Sequence, residues 1–277
     1  AIKEVNRLKR EFTKVLREYE SLKKNSNDPE AFRVIGEFYC LEKGDWGKGL
    51  QLLSKSDSPE LRKTILADLK RPVTPAEQTQ LADDWWKQAE QVKGPIRKAY
   101  HLRGRYWYLL ARPLLTPDKR VNRDKQLQQL VLEADQIVIW NQHNGVNGDR
   151  GTVACVVTLL YQGQSVWRQS VQLPWQLDAP ASRTLKPPHV RFDQVRIDIT
   201  KFRGNGGGLG EVEVFDGTIN VAKNCSVLAK EYYKDDRRFY PNKIIDGDKS
   251  GNSGFWLLNN GQQGWLLIDM INLLEQP

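Results

Sequence analysis

PNKIIDGDKSGNSGFWLLNNGQQGWLLIDM, residues 241–270, decides how the second half of this chain folds. An Asp-Gly turn at Asp246 comes first, and two short apolar runs with Trp256 and Trp265 follow, separated by glycine and asparagine. Aromatic and aliphatic runs between turn residues are typical of β-strands. The stretch therefore predicts β-structure at the C-terminal end of the chain.

The same pattern extends back to about residue 131. It includes QIVIWNQHNG (136–145), TVACVVTLLYQGQSVWRQSVQL (152–173), FDQVRIDIT (192–200) and GEVEVF (210–215). Because no helical pattern separates these runs, they predict an all-β sandwich. The tryptophans that lie in strand patterns are expected in its core; they are Trp140, Trp167, Trp256 and Trp265.

The first half of the chain has helical periodicity instead. Apolar residues recur at spacings of three and four over residues 2–22, and Asp28 with Pro29 forms the start signal of a second helix. Helix, short turn and helix then repeat every roughly thirty to forty residues, which favours a helical-repeat array of antiparallel helix pairs. Residues 28–115 resemble tetratricopeptide-like repeats, most clearly in AFRVIGEFYCLEKGDWGKGLQLL.

Composition excludes some classes of protein. The net charge is +8, but basic and acidic residues are interspersed in the helical half, which favours solvated helix faces over a nucleic-acid footprint. No apolar run reaches the roughly 20 residues that a membrane span requires. The cysteines are isolated, so they predict neither a zinc site nor a disulfide framework, although a Cys155–Cys225 disulfide stays open.

Two groups of motifs in the β half resemble discoidin domains, the coagulation-factor C-type, galactose-binding-like sandwiches. VRIDIT followed by GGLGEVEVF is similar to the closing strands of that family. NVAKNCSVLAKEYY, FYPNKIIDGDKSG and GWLLIDM are similar to its opening. The opening follows the closing strands here, so the family order is rotated.

Because the termini of a compact domain are often close together, such a rotation is compatible with the same packing. We interpret residues 131–277 as one circularly permuted sandwich that follows a helical domain at residues 1–130; a cut through tandem copies is the alternative. The fold class is therefore α+β, with a helical repeat followed by a galactose-binding-like sandwich. The C-terminal strands are expected to pair with the strands that begin near Ile137 and to close one hydrophobic interior.

The resemblance also implies a structural calcium ion at the Asp-Gly turn, because many discoidin-like domains bind calcium there. Calcium takes six to eight oxygen ligands. Carried over to this sequence, the ligands are side-chain oxygens of Asp246, Asp248 and Glu211 with carbonyl oxygens of Lys243 and Ser250. The insertion KSGNSG before Trp256 departs from the family pattern. A plain turn in which Asp246 accepts backbone hydrogen bonds is the alternative.

Loops at one end of the sandwich form the ligand surface that the family implies. Aromatic rings that stack on sugars and polar groups that bind hydroxyls are the relevant residue types. The candidates in NQHNGVNGDR and KEYYKDDRRF are His143, Asn144, Tyr232, Tyr233 and Arg237. An ordinary loop histidine and a tyrosine that fills a core gap are the alternative interpretations.

No catalytic constellation emerges, since none of His101, His143 and His189 lies beside a nucleophile-like serine or cysteine. We therefore expect a non-catalytic protein that binds a glycan or cell-surface polysaccharide outside the cytoplasm, with no nucleic-acid partner. The alternatives are a scaffold whose helical repeats bind protein partners, and an accessory region of a larger secreted enzyme.

Overall fold

The structure is a computed structural model that describes residues 2–143, 148–177, 179–251 and 254–271. Its contacts divide the chain into two compact units. The first contains Ala1–Thr116 with Gly217–Ile219, and the second contains Pro117–Asp216 with Asn220–Pro277. Helices are followed by antiparallel sheets, which confirms the predicted α+β class.

The first unit is helical and contains α1 (Ile2–Lys24), α2 (Pro29–Glu42), α3 (Trp46–Leu53), α4 (Pro59–Leu69), α5 (Pro75–Glu90) and α6 (Pro95–Ala111). The predicted start of α2 is confirmed: Asp28 is the N-cap, and its Oδ1 accepts hydrogen bonds from the backbone N–H groups of Glu30 and Ala31. In the described part of the chain, no helix combines the length and apolar character of a membrane span.

Two glycines allow α2 and α3 to approach closely. A Cβ atom added at Gly36 would lie 2.7 Å from Cγ of Leu53, and one at Gly49 would lie 2.3 Å from Sγ of Cys40. Both distances are shorter than real Cβ contacts. The small residues therefore set the spacing of this helix pair.

A buried carboxylate joins α4, α5 and α6. Oδ2 of Asp68 accepts hydrogen bonds from Nε1 of Trp85 at 2.7 Å and from Nε1 of Trp107 at 2.8 Å. The guanidinium of Arg103 also binds this carboxylate, through Nε at 2.8 Å and Nη2 at 2.5 Å. Asp68 is 2% exposed, so one acceptor group satisfies donors from two neighbouring helices inside the core.

The second unit begins with α7 (Pro117–Gln128) and continues as β-strands. These are β1 (Leu132–Ala134), β2 (Gln136–Asn141), β3 (Arg150–Tyr161), β4 (Gln164–Gln172), β5 (Ser182–Leu185), β6 (Val190–Phe192), β7 (Gln194–Gly204), β8 (Gly208–Asp216), β9 (Ile219–Asn220), β10 (Ser226–Ala229), β11 (Trp256–Leu257) and β12 (Trp265–Asp269).

The strands form two larger sheets and one small pair. The first sheet has the order β10-β12-β7-β3-β4, the second has the order β11-β8-β2-β5 with β9 beside β8, and β1 pairs with β6. The pairings are antiparallel. The C-terminal strands join both sheets, because β12 pairs with β7 and β11 with β8. The predicted pairing with the strand that begins near Ile137 is not direct: β8 separates β11 from β2, and β12 lies in the other sheet.

The interior of this sandwich-like unit takes residues from both sheets. Along β7, the buried residues Val195, Ile197 and Ile199 occupy every second position, as expected for a strand with one face in a core, whereas β2 and β8 contain runs of consecutive buried residues. Residues from before and after position 220 share this interior. They include Ile137, Ile139, Val157, Ile197, Val212, Val214, Leu266 and Ile268.

The tryptophan prediction is correct for Trp256 alone, which is fully buried. Trp140, Trp167 and Trp265 are half-buried. The ammonium of Lys249 lies 5.0 Å from the Trp140 ring, and the guanidinium of Arg196 lies 4.7 Å from the Trp265 ring. Strand alternation places these rings toward the rim or the outer face, where cations cover them.

The Cys155–Cys225 disulfide that the sequence left open does not form. Both residues are buried free thiols, as is Cys40. Sγ of Cys225 lies 3.5 Å from Sδ of Met270, so it packs as a small apolar group.

Candidate functional site

The Asp-Gly turn lies against β8 and brings two of the predicted calcium ligands together. A short helical turn, Pro241–Ile245, ends at Asp246, and Gly247 follows with φ +89°. The N–H of Gly247 donates to Oε1 of Glu211 at 3.1 Å. This conformation suits glycine, so the turn can place its backbone against the Glu211 carboxylate.

Glu211 is the most unusual acid of the site. Its side chain is fully buried, and Oε2 has no hydrogen-bond partner among the described residues. Burial, followed by the negative charge of Asp246, raises the pKa of Glu211 to about 9, and the Gly247 N–H opposes this rise only in part. A cation beside Oε2 would favour the ionised form and so oppose both causes of the raised pKa.

The other predicted ligands form a chain of local hydrogen bonds. The N–H of Asp248 donates to Oδ1 of Asp246 at 2.8 Å. The N–H and Oγ of Ser250 donate to Oδ1 of Asp248 at 2.9 Å and 2.5 Å. Lys243 lies within the helical turn that precedes Asp246. The plain-turn alternative predicts these hydrogen bonds. Glu211 takes no part in this series of local bonds.

Two acidic side chains, Glu211 and Asp246, lie at this turn. Within the described ranges, no three His, Cys, Asp or Glu side chains converge as a metal site. A calcium ion here would therefore be held by Glu211 and Asp246 together with backbone carbonyl oxygens of the turn. The ammonium group of Lys223 also lies close to this turn, since a Cβ atom added at Gly247 would be 3.1 Å from Nζ of Lys223.

Two separate sets of side-chain contacts lie in the loops of this unit: His143 with Phe255, and Tyr233 with Arg150 and Phe239. We refer to these five residues together as the loop cluster. The guanidinium of Arg150 lies 4.3 Å from the Tyr233 ring, and the Phe239 ring is 5.5 Å from it. Arg150 is buried, and its Nη1 donates to the carbonyl of Leu258 at 2.8 Å. These contacts fix the ring of Tyr233 from two sides.

His143 contributes unpaired hydrogen-bonding groups to the loop cluster. Both ring nitrogens are buried and have no hydrogen-bond partner in the described part of the chain. The ring makes an edge contact with Phe255 at 5.2 Å. The predicted neighbour Asn144 lies outside the described residues. Buried imidazole nitrogens normally have partners, so these two are an exception to that rule.

The other predicted ligand residues lie in the same loop as Tyr233 and take different roles. Tyr232 is half-buried, and its ring packs on Tyr240 at 5.0 Å. Arg237 is exposed. Between them, Lys234 and Asp235 adopt left-handed backbone conformations, and the N–H of Lys234 donates to Oδ1 of Asn259. Thus Tyr233 lies in the loop cluster, Tyr232 packs beside it, and Arg237 faces solvent.

Sequence reasoning missed Arg150, Phe255 and the stacked pair Trp175–Arg203. The guanidinium of Arg203 lies 3.7 Å from the Trp175 ring, and Nε1 of Trp175 is buried with no partner among the described residues. These side chains meet because β3 begins where β7 ends, at the Arg150–Gly204 pair. Only the strand topology shows this proximity. In the sequence, a charged residue at the start of an apolar strand, such as Arg150, is a weak signal of a functional position.

Comparison with protein-family models, with curated proteins and with solved structures found no match for this chain.

Proposed function

We propose that the sandwich unit is a non-catalytic carbohydrate-binding module that attaches the protein to a glycan or cell-surface polysaccharide. The observation that carries this proposal is the loop cluster, where the two unpartnered nitrogens of His143 belong to a ring that contacts Phe255. Sugars present hydroxyl groups and apolar ring faces, which such a combination recognises. The resemblance to discoidin domains, in circularly permuted order, supports the same class of ligand.

In this proposal calcium is a structural ion at the Asp-Gly turn. Glu211 and Asp246 would hold it with backbone carbonyls, and the ion would neutralise the buried carboxylate of Glu211. Binding modules outside the cell commonly use calcium sites of low affinity. We therefore propose an extracytoplasmic location.

A His143→Phe variant separates ligand binding from packing. Phenylalanine keeps the ring contact with Phe255 but has no nitrogen atoms, so stability is expected to be equal or slightly higher, because two unpaired polar atoms leave the interior. Affinity for glycan is expected to fall about tenfold, or about 1.4 kcal/mol. The measurements are thermal melting and a glycan array probed with both proteins.

A second variant tests the neighbouring loop. Replacing Tyr232, Tyr233 and Arg237 by alanine together is expected to abolish array signals, while Arg168→Ala, an exposed change on β4, leaves them intact. A wild-type array without signals, or signals that both His143→Phe and the triple variant retain, would count decisively against carbohydrate binding at the loop cluster.

A further inference from the structure

The helical unit has a basic surface on α4 that the proposed function of the sandwich does not use. One face of this 11-residue helix is in the core and includes Leu61, Ile65 and Asp68. The opposite face is an open surface with a shallow depression of about 480 Å³, and the residues that line the depression come from α4 and its C-cap alone. The residues of this depression, which we call the α4 groove, are Pro59, Arg62, Lys63, Leu66, Ala67 and Lys70.

The charges of the α4 groove are uncompensated. Lys63 and Lys70 are exposed and form no ion pair within the described ranges. Arg62 is also exposed, and its Nη2 donates to the carbonyl oxygen of Ser56, which leaves its positive charge without a carboxylate. No acidic residue is among the six that line the groove. The surface therefore favours a negatively charged partner.

Leu66 adds an apolar contact between these cations. It is 48% exposed and lies one helical turn after Arg62 and Lys63 and one turn before Lys70. A second copy that bound through the same face would place cations against cations, because a two-fold interface is self-complementary. A nucleic-acid backbone offers phosphates but no apolar group for Leu66, and one leucine is a small apolar area for membrane binding.

We propose that the α4 groove binds an acidic amphipathic segment of another protein. Carboxylates of the segment would lie on Arg62, Lys63 and Lys70, and an apolar side chain would cover Leu66. Helical repeats commonly present such surfaces to extended or helical partners. This inference concerns the helical unit and does not depend on carbohydrate binding by the sandwich.

The experiment uses the full chain and a fluorescein-labelled synthetic peptide of about 18 residues with a leucine stripe flanked by glutamates at helical spacing. A peptide of the same composition in scrambled order is the control for the amphipathic arrangement of leucines and glutamates. Fluorescence anisotropy is measured for wild type, Leu66→Ser, the double variant Lys63→Glu/Lys70→Glu, and the control double variant Lys24→Glu/Lys93→Glu. The control changes two exposed lysines elsewhere by the same total charge.

Wild type is expected to bind the amphipathic peptide at least about tenfold more tightly than the scrambled one. Lys63→Glu/Lys70→Glu is expected to lose about tenfold in affinity and Leu66→Ser about fivefold, while the control variant changes by less than about twofold. Equal binding of both peptides, or equal losses in the two double variants, overturns the proposal. So does binding of anionic phospholipid vesicles or of an RNA oligonucleotide, with the same variant dependence, in place of the peptide.

Discussion

Replacing Asp68 by alanine is expected to lower the free energy of unfolding by about 4 kcal/mol. The carboxylate is buried and accepts hydrogen bonds from the indoles of Trp85 and Trp107 and from the guanidinium of Arg103. Alanine removes this acceptor from the partly buried guanidinium of Arg103, whose side chain is 18% exposed, and from two buried indole N–H groups. The loss of one partner from a buried ion pair is among the costliest single substitutions.

Urea unfolding followed by far-UV circular dichroism measures this effect on the helical signal. Asp68→Asn, which keeps one oxygen acceptor but loses the charge, is expected to fall between wild type and Asp68→Ala. Asp57→Ala removes an exposed carboxylate from the loop between α3 and α4 and is expected to change stability by less than about 0.5 kcal/mol. A midpoint for Asp68→Ala equal to that of Asp57→Ala would show that the buried network contributes little.

Replacing Glu211 by glutamine is expected to stabilise the calcium-free protein at alkaline pH. The pKa of Glu211 is about 9 in the folded chain against an ordinary value of 4.5. Between these values the folded state holds a proton that the unfolded state has released, so the free energy of unfolding falls as pH rises. The loss is about 1.4 kcal/mol per pH unit, or about 4 kcal/mol between pH 5 and pH 8. Glutamine does not ionise and can still accept the Gly247 N–H.

Thermal melting of chelator-treated protein across this pH range checks the prediction. Wild type is expected to lose stability toward pH 8 and Glu211→Gln to lose much less. Glu213→Gln is the matched control, because Glu213 lies on the same strand but is hydrogen-bonded to Trp140 and ion-paired with Lys249. Parallel pH profiles for wild type and Glu211→Gln would mean that the buried carboxyl does not titrate as proposed.

Local signals in the sequence predicted the fold class well. The apolar period near 3.6 before residue 116 and the short alternating runs after residue 131 correspond to α1–α6 and to β1–β12. Caps such as Asp28 depend on neighbours only a few residues away, which a sequence displays directly. The Asp-Gly turn was located for the same reason, since Gly247 adopts a conformation that glycine favours.

Contacts between distant segments were not predictable. The Asp68 network joins residues 17 to 39 positions apart, and Arg150 reaches Leu258 over 108 positions. Strand alternation identifies two faces but not which of them is buried, so half-buried Trp140 and Trp265 were expected in the core. Likewise, the resemblance to discoidin domains suggested Asp246, Asp248 and Glu211 as ligands, whereas the burial of Glu211 is a property of the folded chain, in which β8 meets the turn.

Calorimetric titration of chelator-treated protein with calcium is the most direct test of the proposed cation site at the Asp-Gly turn. We predict binding of about one ion per chain and a higher melting temperature, with both effects lost in Glu211→Gln and retained in Glu213→Gln. Absence of binding heat together with an unchanged melting temperature in wild type would contradict the claim.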